Sequence, residues 1–145
     1  MKALKTLLLF LCFSITAMGC VAKYTIPVGG TNDLRFVGQW EGKHFNEKGG
    51  YWRKWEQNRH PDGTYKLVLK YYDKSDKFLN RKVETGYWWL QDGLFHEIAP
   101  SRMSKPESYK FEFTSNEQIE FSSVQIDKNS DEKVGYSFID KKVKE

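Results

Sequence analysis

The sequence predicts an all-β domain, an eight-stranded antiparallel up-and-down barrel that follows an N-terminal signal peptide. From residue 34 onward, short runs of alternating apolar and polar residues recur at regular spacing, and turn residues separate them. The connections are mostly of hairpin length, and no segment after the first twenty residues keeps a helical period. Because an open meander would leave two unpaired edge strands, we expect the sheet to close into a barrel.

The first nineteen residues have the pattern of a signal peptide. Lys2 and Lys5 form a short basic region, and residues 6–15 form an apolar run. That run is shorter than the about 20 residues that a transmembrane helix needs. The pattern therefore predicts export of the chain and removal of residues 1–19.

Ala-Met-Gly-Cys at residues 17–20 resembles the lipobox of bacterial lipoproteins, in which the Cys is acylated and becomes the mature N-terminus. Cleavage would remove Cys12, the other of the two Cys in the chain, so Cys20 would have no disulfide partner after export. The resemblance implies acyl chains such as palmitate on Cys20, which would anchor the protein in a membrane. Val21 in place of Asp favours the outer membrane, facing the periplasm. A cleaved signal peptide with an incidental Cys is the alternative.

Residues 20–33 are expected to form the acylated Cys and a short tether. The segment contains Pro27, Gly29 and Gly30 and has no period of a helix or a strand. Residues 34–145 are expected to form the barrel, which a tether of this length would hold close to the bilayer surface.

The expected strands are justified by alternation and by the turns between them. Pro-Asp-Gly at 61–63 and Asp-Gly at 92–93 are strong turn signals. The abundant aromatic residues, with 10 Phe, 8 Tyr and 5 Trp, must supply much of the buried area, and their bulk predicts a filled interior without a roomy cavity. The eight runs cover residues 34–45, 51–59, 65–71, 83–89, 94–98, 109–113, 119–123 and 134–138.

Two motifs on the early runs resemble lipocalins and their relatives. Gly38-Gln39-Trp40 is similar to the Gly-x-Trp signature of that family. Trp55 and Arg59, followed by Asp-Gly-Thr-Tyr at 62–65, are similar to a segment of bacterial lipocalin-like lipoproteins. The resemblance implies a lipocalin-like, calycin-type barrel with a small hydrophobic or amphipathic ligand. The family also places an Arg near the last strand, over the Trp of the signature, and this sequence has no Arg there.

The candidate site lies on the second run, which is the richest in aromatic and cationic side chains. We expect Trp40, Trp55 and Arg59 to lie together inside one end of the barrel. There Arg59 would either plug the barrel by stacking on the indole of Trp40 or bind the carboxylate or phosphate group of a ligand. Tyr87 and Trp89 are assigned to the same candidate site. Since Trp88 and Trp89 are adjacent, one of them must face outward or lie under a loop.

Other kinds of site are not expected. His44 and His96 are predicted to face inward, but no spacing typical of a metal site accompanies them, so neither a metal nor a cofactor is expected. No motif of a hydrolase or a nucleotide-binding enzyme is present, and no inward pair of carboxylates is evident, so catalytic residues and enzyme activity are not expected. Without residues 1–19 the formal charge is +2, which argues against nucleic-acid binding.

Two functions follow as hypotheses from these observations. In the first, the chain is a lipid-anchored lipoprotein of the cell envelope whose barrel binds a small amphipathic or hydrophobic ligand. In the second, the barrel is filled, and its loops bind an envelope protein or inhibit an envelope enzyme. A ligand that copurifies with the protein would favour the first hypothesis, whereas an envelope protein recovered with a ligand-free barrel would favour the second.

Overall fold

The computed structural model describes residues 23–124 and 136–144 and confirms the predicted all-β barrel. Eight antiparallel strands follow one another around a closed barrel, and β1 pairs with β8 through Trp40–Lys142 and Glu41–Lys141 to close it. The strands are β1 (Gly38–Asn46), β2 (Tyr51–Arg59), β3 (Thr64–Asp73), β4 (Phe78–Gln91), β5 (Leu94–Ile98), β6 (Glu107–Ser115), β7 (Gln118–Ser123) and β8 (Ser137–Lys142).

The two ends of the barrel differ. At the end that we call the closed end, a short 3-10 helix (Leu34–Phe36) precedes β1 and places the Phe36 ring, which is fully buried, among the core aromatics. The remaining core residues of this half are mostly aromatic and pack ring against ring: Trp40, Tyr65, Trp88, Phe95, Tyr109, Ile119 and Phe121. The opposite end, which we call the open end, carries the β1–β2 and β3–β4 hairpins and the β5–β6 loop.

Three of the predicted runs differ from the strands that form by more than two residues at one end. The first run is two elements, because the Asp33 side chain accepts a hydrogen bond from the Arg35 backbone N–H and starts a 3-10 turn that leaves Leu34 exposed. Strand β4 begins at Phe78, five residues before the predicted start. Strand β8 lies later than predicted and contains Lys141. The predicted start of that run lies outside the described residues.

In the β4–β5 hairpin, the side chains that point into the barrel differ from those that were predicted to do so. Trp88 is fully buried in the interior core, whereas Trp89 pairs with His96 on the outer face and stacks on its ring at a centroid distance of 5.2 Å. The expectation that His96 faces inward was therefore wrong. Since side chains alternate along a strand, Phe95 and Glu97 point into the barrel instead.

The segment expected to be a tether packs against the barrel from residue 24 to residue 32. Thr31 forms an antiparallel bridge with Leu90 on β4. The Tyr24 ring lies 5.8 Å from the Trp89 ring and 5.7 Å from the Tyr87 ring, so the segment covers the outward aromatics of β4. Residues 1–22, which include the predicted signal peptide and Cys20, lie outside the described part of the chain. Among the described residues, no helix combines the length and hydropathy required to cross a bilayer.

Candidate functional site

A cavity of about 1380 Å³ occupies the open half of the barrel. The expectation of a completely filled interior is therefore wrong for this half, because the aromatic core is concentrated at the closed end. The volume exceeds the 300–1,000 Å³ that is typical of sites for drug-sized ligands. Apolar and aromatic side chains supply much of the wall: Tyr51, Trp55, Leu67, Leu69, Tyr71, Tyr109, Tyr136 and Phe138.

A buried ion pair lies between the aromatic core and the cavity. Arg59, near the end of β2, is 2% exposed, and its Nη2 donates a hydrogen bond to Oδ2 of Asp140 on β8, which is fully buried. The second carboxylate oxygen of Asp140 accepts a hydrogen bond from Trp55 Nε1 at 2.8 Å. Because burial of a single charge is very costly, each member of the pair requires the other.

Aromatic rings surround the Arg59 guanidinium. Its Cζ lies 5.7 Å from the ring centre of Trp40, 5.0 Å from that of Phe95 and 5.4 Å from that of Phe121. Arg59 Nε and Nη1 have no hydrogen-bond partner among the described residues, so the ring faces stabilise that side of the cation. Lys142 Nζ also lies 5.4 Å from the ring centre of Trp40.

The structure thus brings together three of the five predicted site residues. Trp40 and Trp55 both contact the Arg59–Asp140 pair, as the pairing of β1 with β2 predicts. Tyr87 and Trp89 do not belong to this interior cluster, because both lie on the outer face of β4 beneath the N-terminal segment. Trp88 occupies the interior position of that strand.

An inward pair of carboxylates lies at the inner part of the cavity, where the sequence indicated none. Glu97 on β5 and Glu107 on β6 are cross-strand partners, and both line the cavity. Glu97 accepts a hydrogen bond from Gln57 Nε2 at 3.1 Å, and Glu107 accepts one from the Tyr109 hydroxyl at 2.7 Å. Gln57 also accepts a hydrogen bond from Arg59 at 2.7 Å, which connects Glu97 to the buried ion pair.

Burial raises the pKa of Glu97 to about 7, since an ionised carboxylate loses hydration at this position. The nearby Arg59 cation and the hydrogen bond from Gln57 oppose that rise, and the Glu107 charge adds to it. Burial also raises the pKa of the Tyr109 hydroxyl above its ordinary value. The inner part of the cavity therefore changes charge near neutral pH.

Two of the cations on the cavity wall, Arg53 and Arg102, already have partners. Arg53 donates a hydrogen bond to the Tyr136 hydroxyl and lies over the rings of Tyr136 and Trp55. Arg102, on the β5–β6 loop, donates to both carboxylate oxygens of Glu84 at 2.9 and 3.4 Å. The cavity wall thus combines carboxylates, cations and apolar side chains.

Sequence reasoning missed Asp140, Glu97 and Glu107. Glu97 was hidden by the facing of the β4–β5 hairpin, in which both faces are apolar enough to be inward. Glu107 was hidden because the sixth run was predicted to begin at residue 109, whereas β6 begins at Glu107. Asp140 was hidden because the last strand was predicted to end at residue 138. Its position two residues after Phe138 is the signal that could have found it.

No family model, no curated protein and no solved structure matches this chain. In the described residues, no three or more His, Cys, Asp or Glu side chains are grouped as a metal site would require. The cavity and its charges are accordingly the observations on which a function can be argued.

We predict that Arg59→Met lowers the free energy of unfolding by about 3–5 kcal/mol, because Asp140 then stays buried without its partner. Adding Asp140→Asn should recover part of that loss, since the remaining amide carries no charge. Urea unfolding of the parent, the two single variants and the double variant measures this coupling. Additive losses would contradict a direct interaction between the two charges.

The raised pKa of Glu97 predicts that stability decreases with rising pH. The folded state binds this proton more tightly than the unfolded state does, so its contribution is complete below the ordinary pKa of 4.5 and is lost as the pH approaches about 7. Glu97→Gln should therefore be more stable than the parent at pH 8, by about 1–3 kcal/mol, and close to the parent at pH 4. Glu112→Gln, at an exposed position on β6, is the control. Equal pH profiles for Glu97→Gln and the parent would contradict the assignment.

Proposed function

We propose that this chain is an exported lipoprotein, acylated on Cys20, whose lipocalin-like barrel binds a small amphipathic ligand. The observation that carries the binding role is the cavity at the open end, with its apolar wall and its positive and negative groups. Such a cavity suits a ligand with an apolar body and one polar group, because the wall buries the body and the charges orient the group.

The proposed ligand lies along the inner faces of β2 and β3. Leu67 and Leu69 supply aliphatic surface on β3, and Trp55 and Tyr71 supply aromatic surface beside them. A polar group of the ligand would sit near the Glu97 and Glu107 carboxylates or near Arg53, all of which line the cavity. The filled-barrel alternative, a protein-interaction or inhibitor module, receives less support because the open half of the barrel is not filled.

The proposed location is the outer membrane, with the domain in the periplasm. The sequence of residues 1–20 supports export and acylation, and Val21 supports outer-membrane sorting. Because residues 24–32 pack on the barrel, only a few residues connect the proposed anchor at Cys20 to the barrel wall.

We predict that Leu67→Trp weakens ligand binding at least about tenfold, because the larger ring occupies the cavity. Val68→Trp is the matched control, since Val68 follows Leu67 on the same strand and lies on the other face. The probes are anilinonaphthalene sulfonate and dodecyl chains with a carboxylate, phosphate or ammonium group, titrated by fluorescence. The absence of saturable binding of every probe to the parent protein would contradict the proposal.

We predict that Cys20→Ser releases the protein from membranes, because no acyl chain can then form on that residue. The measurement is membrane fractionation after a salt wash, with mass spectrometry of the N-terminal peptide of the parent. A Cys20→Ser variant that stays in the membrane fraction, or a parent peptide without acyl mass, would contradict the anchor.

A further inference from the structure

The outer wall of β1–β4 carries a row of aromatic side chains near the open end. Phe45, Trp52, Tyr72 and Phe78 are successive cross-strand partners on four neighbouring strands. The Phe45 and Trp52 rings lie 5.0 Å apart, and the Tyr72 and Phe78 rings lie 5.7 Å apart. Despite its contact with Tyr72, Phe78 remains 53% exposed. The row is therefore an apolar surface beside the mouth of the cavity.

A row of cations runs beside the aromatic row, two residues further from the open end. Lys43, Lys54, Lys70 and Arg81 are successive cross-strand partners on the same four strands. Like charges placed directly opposite each other destabilise a sheet. Among the described residues, ion pairs engage Lys54 with Asp76 and Lys70 with Glu56, and none engages Lys43 or Arg81. A negatively charged surface would offset the mutual repulsion of the cations in this row.

The cations and the rings form one surface. Lys43 Nζ lies 5.5 Å from the ring centre of Trp52, and Lys54 Nζ lies 4.3 Å from that of Tyr72. On β4, Leu79 is 54% exposed and Val83 is 47% exposed, so aliphatic side chains extend the apolar part. We call the eight residues of the two rows, together with Leu79 and Val83, the basic–aromatic wall.

We propose that the basic–aromatic wall binds the surface of an anionic bilayer. Trp and Tyr rings favour the headgroup region because they have both an apolar body and a polar edge, and Lys and Arg side chains favour the phosphates of anionic lipids. Exposed Phe78 and Leu79, close together at the hairpin, suit insertion below the headgroups. Nucleic acid would match the cations but would not cover the aliphatic side chains.

The N-terminal segment approaches the barrel on the side of β3 and β4, two of the strands that carry the wall. Lys23 lines a surface groove with Lys66 of β3 and Thr85 of β4, and with His60 and Thr64 at the closed end. Lys23 is the third residue after Cys20, a span of at most about 10 Å. This part of the argument rests on the acylation proposed above. The anchor would then hold the outer face of β3 and β4, which carries much of the wall, near the bilayer.

The test measures which end of the full-length protein contacts lipid. A nitrobenzoxadiazole label is attached to Ser75→Cys in the β3–β4 hairpin or, as the control, to Asn116→Cys in the β6–β7 hairpin at the closed end. Each protein is placed in phosphatidylglycerol-rich vesicles that contain doxyl-labelled lipid. We expect the Ser75→Cys label to be quenched at least about twofold and the Asn116→Cys label to stay nearly unquenched. Quenching should weaken in phosphatidylcholine vesicles, since the cations of the wall then have no anionic headgroups to bind.

Double variants identify the residues that are responsible for lipid contact. Phe78→Ser with Leu79→Ser should abolish quenching of the hairpin label, and Lys43→Gln with Arg81→Gln should weaken it in anionic vesicles. Leu34→Ser is the control, since Leu34 is 73% exposed at the closed end. An unquenched hairpin label, or vesicles that retain no protein, would overturn the proposal. Saturable binding of an oligonucleotide or a protein that the wall variants abolish, without quenching, would also overturn it.

Mass spectrometry of Cys20 in the same samples separates this proposal from the anchor. A hairpin label that is quenched in protein without acyl mass would support the wall and overturn the anchor. Acyl mass with an unquenched hairpin label would support the anchor and overturn the wall.

Discussion

Arg59 and Asp140 meet inside the barrel, where the guanidinium is 2% exposed and the carboxylate is fully buried. Neither charge could stay there alone, so the strands that carry them, β2 and β8, must close on each other across β1. The rings of Trp40, Phe95 and Phe121 cover the cation on the side of the closed end. The pair therefore ends the aromatic core, and the cavity begins beyond it.

Because the Arg59–Asp140 pair separates the aromatic core from the cavity, the closed and open halves of the barrel have different roles. The closed half supplies stability through ring packing around Phe36. In the open half, two of the charged groups that line the cavity already have partners: Gln57 donates a hydrogen bond to Glu97, and Arg102 donates one to Glu84. These two charges are therefore already paired before a ligand enters the cavity.

Alternation along single strands made part of the site predictable. Trp55 and Arg59 are four residues apart on one strand, and the β1–β2 hairpin brings that face against Trp40, so these three residues follow from the sequence. The facing of β4 and β5 did not follow, because Trp88 and Trp89 are equally apolar and only the pairing with β5 and the cover by Tyr24 distinguish them. The long-range partner Asp140 depends on where β8 ends, which local pattern does not determine.

Native mass spectrometry of the full-length protein, released gently from its own membrane, tests most directly the claim that the open half holds a ligand. The account predicts one small amphipathic molecule per chain, which remains bound on transfer to the gas phase and is removed by organic extraction. Detection of the ligand-free mass alone, in a protein that also takes up no amphipathic molecule when the extract is added back, would contradict the account.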